Sequence, residues 1–233
     1  MKKLKSIKDI EVDEYIAKIR KGNFSRKTTE TNIKLSLNID GKGEFEIDSG
    51  VPFFNHMLEQ FSKHSGFDIS LNAKGDIGVD LHHLIEDTGI VIGSALMKLS
   101  GNKRGIKRFG FASVPMDEAL VQSSVDFCGR SFFVYKFMGE DMSRSRKEYI
   151  PPLFQVSKQE SREILVDKFF YVYSNIFFEA LCKNALINLH INIEYGSNVH
   201  HMVEAIFKST GRAVSDALKV VDSYGIPSTK GRI

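Results

Sequence analysis

The chain has 233 residues, with 32 Lys+Arg against 29 Asp+Glu for a formal net charge of +3, and 42 % of it is apolar, including 18 Phe. That is enough to build the core of one large domain or two small ones, and it excludes a disordered chain; the near-neutral balance gives no reason to expect nucleic acid or an anionic membrane as partner. Two cysteines, Cys128 and Cys182, a longest apolar run of about Ile90 to Met97, and the acids Asp9, Glu11, Asp13 and Glu14 just after a basic start argue against a disulfide scaffold, a membrane span of roughly 20 residues and a signal peptide, so a cytoplasmic location is expected.

Residues 1–23 carry Leu4, Ile7, Ile10, Ile16 and Ile19 among charges, a weak amphipathic helix read as an N-terminal extension. Thr31 to Phe45 alternates like a strand and is broken by Asp40-Gly41-Lys42-Gly43, a hairpin turn. A helix is expected over Phe53 to Phe61, a strand over Phe67 to Asn72, and a long helix over His82 to Leu99. Val125 to Val134 reads as a strand interrupted at Gly129, and 138–168 as a polar loop or insertion. Phe169 to Lys183 then reads as a helix, Ile187 to Tyr195 as a strand and His200 to Lys219 as a second long helix.

The two halves repeat. A helix and a strand lead to Gly75-Asp76 and then His82-His83-Leu84-Ile85-Glu86; a second helix and strand lead to Gly196-Ser197-Asn198 and then His200-His201-Met202-Val203-Glu204. The expected fold is α+β: two tandem β/α sandwich repeats, 24–120 and 121–233, each a sheet with helices on one face.

Each His-His-x-x-Glu unit opens an amphipathic helix. Residues i and i+4 share a face, so His82 and Glu86 can hold one cation together, as can His200 and Glu204. His83 and His201 are turned by about 100° and address a different centre. A pair of helix-start histidines with no ligand is the plain alternative, and two copies at matching points of a repeat weigh against it. Neither unit is a His-Glu-x-x-His zinc-protease motif, and imidazole with carboxylate suits Mn, Fe, Co, Ni or Zn alike. His56 is a reasonable further ligand, His64 can be either structural or functional, and His190 fits a packed position better than a ligand. Anion-binding candidates are Lys103 to Gly110 with its two Arg, Gly129-Arg130, and Pro227-Ser228-Thr229-Lys230-Gly231, each weak alone.

Taken together, Thr28-Thr29-Glu30-Thr31, Phe53-Phe54-Asn55-His56-Met57-Leu58, Asp80-Leu81-His82-His83-Leu84-Ile85-Glu86-Asp87, Gly105 to Gly110, Val114-Pro115-Met116-Asp117-Glu118-Ala119-Leu120, Asp126 to Arg130, Gly196 to His201 and Pro227 to Gly231 resemble the imidazoleglycerol-phosphate dehydratase family over about residues 24–232. The resemblance implies a lyase of histidine biosynthesis that removes water from imidazole glycerol phosphate. It implies a large symmetric homo-oligomer with active sites shared between copies, and two Mn²⁺ per site. One metal would take His56, His83, His200 and Glu204; the other His82, Glu86 and His201. Glu30 would be the catalytic acid/base, His64 a pocket residue, and Arg108, Arg130, Lys208, Ser228, Thr229 and Lys230 the substrate and phosphate ligands. The sequence departs from the family at two places: Ile176 stands where the second metal would have a further His, and Asn55 where the family has Asp. Glu179, His190 or water could fill the gap at 176. The departure leaves open a degenerate homologue acting as a structural or ligand-binding subunit, or a dehydratase for a related azole phosphate.

Overall fold

A computed structural model of the chain describes residues 20–142, 169–221, 225 and 227–230. The amphipathic helix expected within 1–23 and most of the insertion expected at 138–168 lie outside the described residues.

The first half runs β1 (Lys21–Lys27), β2 (Thr31–Asn38), β3 (Phe45–Asp48), α1 (Pro52–Ser65), β4 (Asp68–Gly75) and α2 (His82–Leu99). The second runs β5 (Phe109–Met116), β6 (Ala119–Asp126), β7 (Phe132–Phe137), the short β8 (Glu140–Asp141), α3 (Ser174–Ala185) after a π-helical turn over Phe169–Tyr173, β9 (Asn188–Tyr195) and α4 (Val199–Leu218). The sheets have the orders β1-β2-β4-β3 and β5-β6-β9-β7-β8. In both, a leading antiparallel hairpin pairs with the strand that follows the first helix, and the third strand joins that strand in parallel. The tandem α+β repeat is therefore a repeat of topology, with β8 the one added strand of the second sheet.

Two expectations need correcting. The turn at Asp40 to Gly43 does not close a hairpin, because β3 pairs in parallel with β4 and leaves β2 to face β4. Asp68 holds that turn instead, accepting hydrogen bonds from the Lys42 and Glu44 amides at 2.7 and 3.1 Å. The strand expected over Val125 to Val134 is two strands, β6 and β7, separated at Gly129, where φ is +78°. The strands β1 and β5 have no clear apolar alternation to announce them, since Phe24 is the one large apolar residue of β1 and β5 carries Pro115. β1 begins at Lys21, and β5 and β6 pair as one hairpin on either side of the turn at Asp117 and Glu118.

β2 shows how the layers arise: Ile33, Leu35 and Leu37 are buried while Asn32, Lys34 and Ser36 face out, the period-2 pattern of a sheet covered on one side. The helices supply that cover, and they also meet between the halves, α1 against α4 and α2 against α3. Glycines set the approach. A Cβ at Gly89 or Gly93 of α2 would lie 2.5 Å from the Phe177 carbonyl oxygen or 2.4 Å from that of Leu181, both on α3. Ser123 of β6 reaches Ser209 and Thr210 of α4 at 2.8 and 3.1 Å, pairing hydroxyls that would be costly to bury alone. Among the described residues no helix is long and apolar enough to cross a membrane.

Candidate functional site

Both His-His-x-x-Glu units sit at the start of the helix that follows the central strand, so the fold presents them at equivalent ends of the two sheets. In α4 the start is fixed by Asn198, whose side-chain oxygen accepts from the His200 and His201 amides at 2.9 and 3.3 Å. The helical turn then does what the spacing requires. His200 Nε2 lies 3.2 Å from Glu204 Oε2, and His82 Nε2 lies 3.7 Å from Glu86 Oε2.

The α1–α4 contact brings His56 to the first of these pairs. Its Nε2 is 3.5 Å from Glu204 Oε2, and the donor atoms of His56, His200 and Glu204 all fall within 4.8 Å of one another. Glu204 is buried, which works against its ionisation, but Lys208 Nζ at 2.7 Å from the other carboxylate oxygen outweighs that and holds the carboxyl below its usual range. Lys208 is thus engaged at this group and not at the anion pocket described below. His64, in the last turn of α1, feels the same surroundings: burial, then the charges of Lys208 and Arg212, push its pKa down. Asn55 does not touch His56; its side-chain oxygen accepts from the Ser49 amide at 2.9 Å and so pins the loop before α1.

A second group forms around His83, whose Nδ1 lies 3.1 Å from Asp76 Oδ2 and 3.8 Å from Glu30 Oε2. The hydrogen bond that His83 donates to Asp76 raises the His83 pKa. Glu30 stands at the β1–β2 turn, which Thr28 closes by accepting from the Glu30 and Thr31 amides at 3.1 and 2.9 Å. Arg26 to Asp87, at 2.8 Å, ties that hairpin to α2. His201 has its own partner, Glu118, whose Oε2 is 2.8 Å from Nδ1. The His201 hydrogen bond and the Asn198 amide hold the Glu118 carboxyl down at about 2, and the same bond raises His201.

Within one chain, then, His56, His200 and Glu204 converge, His83 joins Glu30 and Asp76 in a separate group, and His201 stands with Glu118. Ile176 lies half-buried on α3, packed against the core. Glu179 is paired with Lys183 at 2.7 Å, and His190 faces outward from β9 against the ring of Phe132, their centroids 6.1 Å apart.

A pocket of about 350 Å³ is lined by Arg108, Cys128, Arg130, Pro227, Ser228, Thr229 and Lys230. Arg108 forms both bonds of a fork to Asp126, at 2.7 and 3.1 Å, and donates to the Pro227 carbonyl at 2.6 Å, which fastens the 227–230 tail beside the second sheet. With the Arg108 charge matched by Asp126, Arg130 and Lys230 supply the pocket's excess positive charge. Asp76, Glu118 and Asn198 were not singled out as site residues from the sequence. Asp76 lies seven residues ahead of His83, but the Glu118 contact spans 83 residues and no local pattern announces it.

The sequence profile of the imidazoleglycerol-phosphate dehydratase family matches residues 49–166 and 152–214. The chain is 46 % identical to the imidazoleglycerol-phosphate dehydratase of Thermodesulfovibrio yellowstonii over 219 residues, 92 % of this chain and all of that protein. It is 44 % identical to the Corynebacterium diphtheriae enzyme over 215 residues, 92 % of this chain and 98 % of that one. Among solved structures, that of the Staphylococcus aureus dehydratase matches with a TM-score of 0.62 and 32 % identity, covering 86 % of this chain and 100 % of that one. The Pyrococcus furiosus enzyme, solved with (S)-C348, matches with a TM-score of 0.67 and 30 % identity, covering 90 % of this chain and 99 % of the other.

Proposed function

The chain belongs to the imidazoleglycerol-phosphate dehydratase family, the metal-dependent hydro-lyases that act in histidine biosynthesis on a phosphorylated imidazole, and on that premise we propose how its residues divide the reaction. Identity of 42–46 % to relatives of the same name, over nine-tenths of the chain, gives no support to a degenerate subunit or to a different azole substrate.

The donor set fits a divalent first-row cation: two imidazole nitrogens and a carboxylate oxygen converge at His56, His200 and Glu204, with no thiol near them. We assign Mn²⁺, two per site, to His56, His200 and Glu204 with His83, and to His82, Glu86 and His201. Bound there, the cations would supply positive charge to the two imidazole nitrogens of the substrate and so ease the departure of hydroxide. Because His83 stands apart from His56 in one chain, this assignment makes His83 and His201 the contribution of neighbouring copies, in a homo-oligomer whose sites are shared.

The rest falls to the chain's own groups. Arg130, Ser228, Thr229 and Lys230, with Arg108 holding the tail in place, bind the phosphate and fix how far the imidazole reaches. Lys208 keeps Glu204 ionised, and His64 lines the same side of the site. Glu30, on a hairpin tied to α2, takes the carbon-bound proton next to the departing hydroxyl. Loss of that proton and hydroxide, together one water, leaves an enol, and protonation of its carbon with loss of the enol O–H proton gives the ketone of imidazole acetol phosphate.

The convergence of His56, His200 and Glu204 is the observation that carries this reading. With Mn²⁺ present, Glu30→Gln should lower kcat by about 10²–10⁴-fold with Mn²⁺ binding intact, the range of a lost general acid/base. Full activity of that variant would remove Glu30 from the chemistry, and absence of turnover by the unaltered protein at any Mn²⁺ concentration would remove the assignment as a whole.

A further inference from the structure

The two halves allow each site residue to be compared with its own counterpart. Glu30 is the residue before β2 and Glu118 the residue before β6, so they are equivalents at the tips of the leading hairpins. Gly75 and Gly196 are equivalents as well. A Cβ at Gly75 would meet Leu84 at 3.0 Å, and one at Gly196 would meet Met202 at 2.5 Å, and Leu84 and Met202 each follow a His-His pair. Asp76 therefore corresponds to Ser197, and His83 to His201.

On this alignment the two halves hold the same ring nitrogen from different places. In the first half Asp76 takes His83 Nδ1, at 3.1 and 3.3 Å from its two oxygens, and Glu30 stands off at 3.8 Å with its side chain 52 % exposed. In the second half Ser197 is too short and carries no charge to do this. There Glu118 takes His201 Nδ1 at 2.8 Å, while its other oxygen accepts the Asn198 and Ser197 amides at 2.7 and 3.4 Å. Asp117 also faces this ring, 3.7 Å from Nε2.

We propose that Glu118 is the positioning residue for His201, having exchanged the role of its counterpart Glu30 for the anchoring role that Asp76 plays in the first half. A carboxylate on Nδ1 fixes the ring's orientation and tautomer, leaving Nε2 to ligate, and strengthens that nitrogen as a donor. The exchange accounts for a duplicated protein in which only one of two equivalent glutamates is left for proton transfer. The inference rests on His201 being a metal ligand, as assigned above.

Mn²⁺ alone, titrated into the metal-free assembled protein, tests it. Glu118→Gln should weaken binding by about 10–100-fold, the usual effect of losing such a partner, at the sites that His201→Ala abolishes. The double variant should bind no more weakly than His201→Ala. Adding Ser197→Asp to Glu118→Gln rebuilds the arrangement of the first half and should recover most of the lost affinity, which a merely structural role for Glu118 would not allow. This second variant also serves if Glu118→Gln alone fails to assemble. Unchanged Mn²⁺ binding in Glu118→Gln, with binding lost in His201→Ala, overturns the inference and leaves the ligand assignment standing. Unchanged binding in His201→Ala overturns both.

Discussion

Ile176 stands on α3, which packs on α2, as His56 stands on α1, which packs on α4, so the repeat matches a sec-butyl group to an imidazole. The proposed set of His82, Glu86 and His201 then has one nitrogen fewer than the proposed set containing His56. In this chain Glu179 pairs with Lys183 on the surface, and His190 points out from β9. The two cations should therefore differ in affinity, the tighter one at His56, His200 and Glu204. Ile176→His should raise the number of Mn²⁺ ions per chain measured by metal analysis at limiting Mn²⁺, and kcat with it. Equal occupancy before and after would mean that water already completes the weaker site at no cost. At this scale much was legible in the sequence. The i, i+4 spacing alone places His82 with Glu86 and His200 with Glu204, because helical geometry decides it. The Glu118–His201 bond was not legible, since the two residues are brought together only by β6, β9 and the start of α4.

Elements fared according to how much of their pattern is local. α2 was read at its observed bounds, because eighteen residues of periodic apolar positions end at a turn before Gly101. The partner of β3 is not legible, because its four residues carry no information about whether β2 or β4 lies beside them. The contact of α2 with α3 gives a test at this scale. Gly89→Ala gains up to about 1 kcal/mol of helix propensity, yet its methyl would sit 2.5 Å from a backbone oxygen of the facing helix, which cannot swing aside as a side chain can. Overpacking of this kind costs about 1–3 kcal/mol, and a contact with backbone belongs at the upper end, so the clash wins. Urea unfolding should show Gly89→Ala destabilised by about 1–2 kcal/mol, and Gly89→Ala/Gly93→Ala by more. A stabilised variant would mean that the two helices separate easily and that the halves are loosely joined.

At the scale of the molecule, the ligand set proposed above is divided within one chain. His56, His200 and Glu204 converge, while His83, the fourth ligand proposed for that set, sits with Asp76 and Glu30. If the cation draws these from different copies, it is a cross-link of the assembly as well as a catalyst, and ligand binding adds to the stability of the state that binds. Removing metal with a chelator should lower the thermal midpoint of the assembly, shift mass photometry toward smaller species on dilution, and reverse when Mn²⁺ is restored. An assembly indifferent to chelation would place each complete metal site within one chain after a rearrangement of the α2 start.

Taken by itself, the sequence determined what depends on spacing along the chain: the long helices, the repeat, the two ligand pairs and the basic, hydroxyl-rich segments at Arg108, Arg130 and Ser228 to Lys230. The tertiary structure alone decided which strands pair, that Arg108 fastens the tail, and that Glu118 rather than a neighbour in sequence holds His201. The division has one physical cause. A helical turn fixes the separation of side chains three and four residues apart whatever surrounds it, whereas contacts across 80 or more residues exist only once apolar faces are buried and the remaining polar groups have found partners.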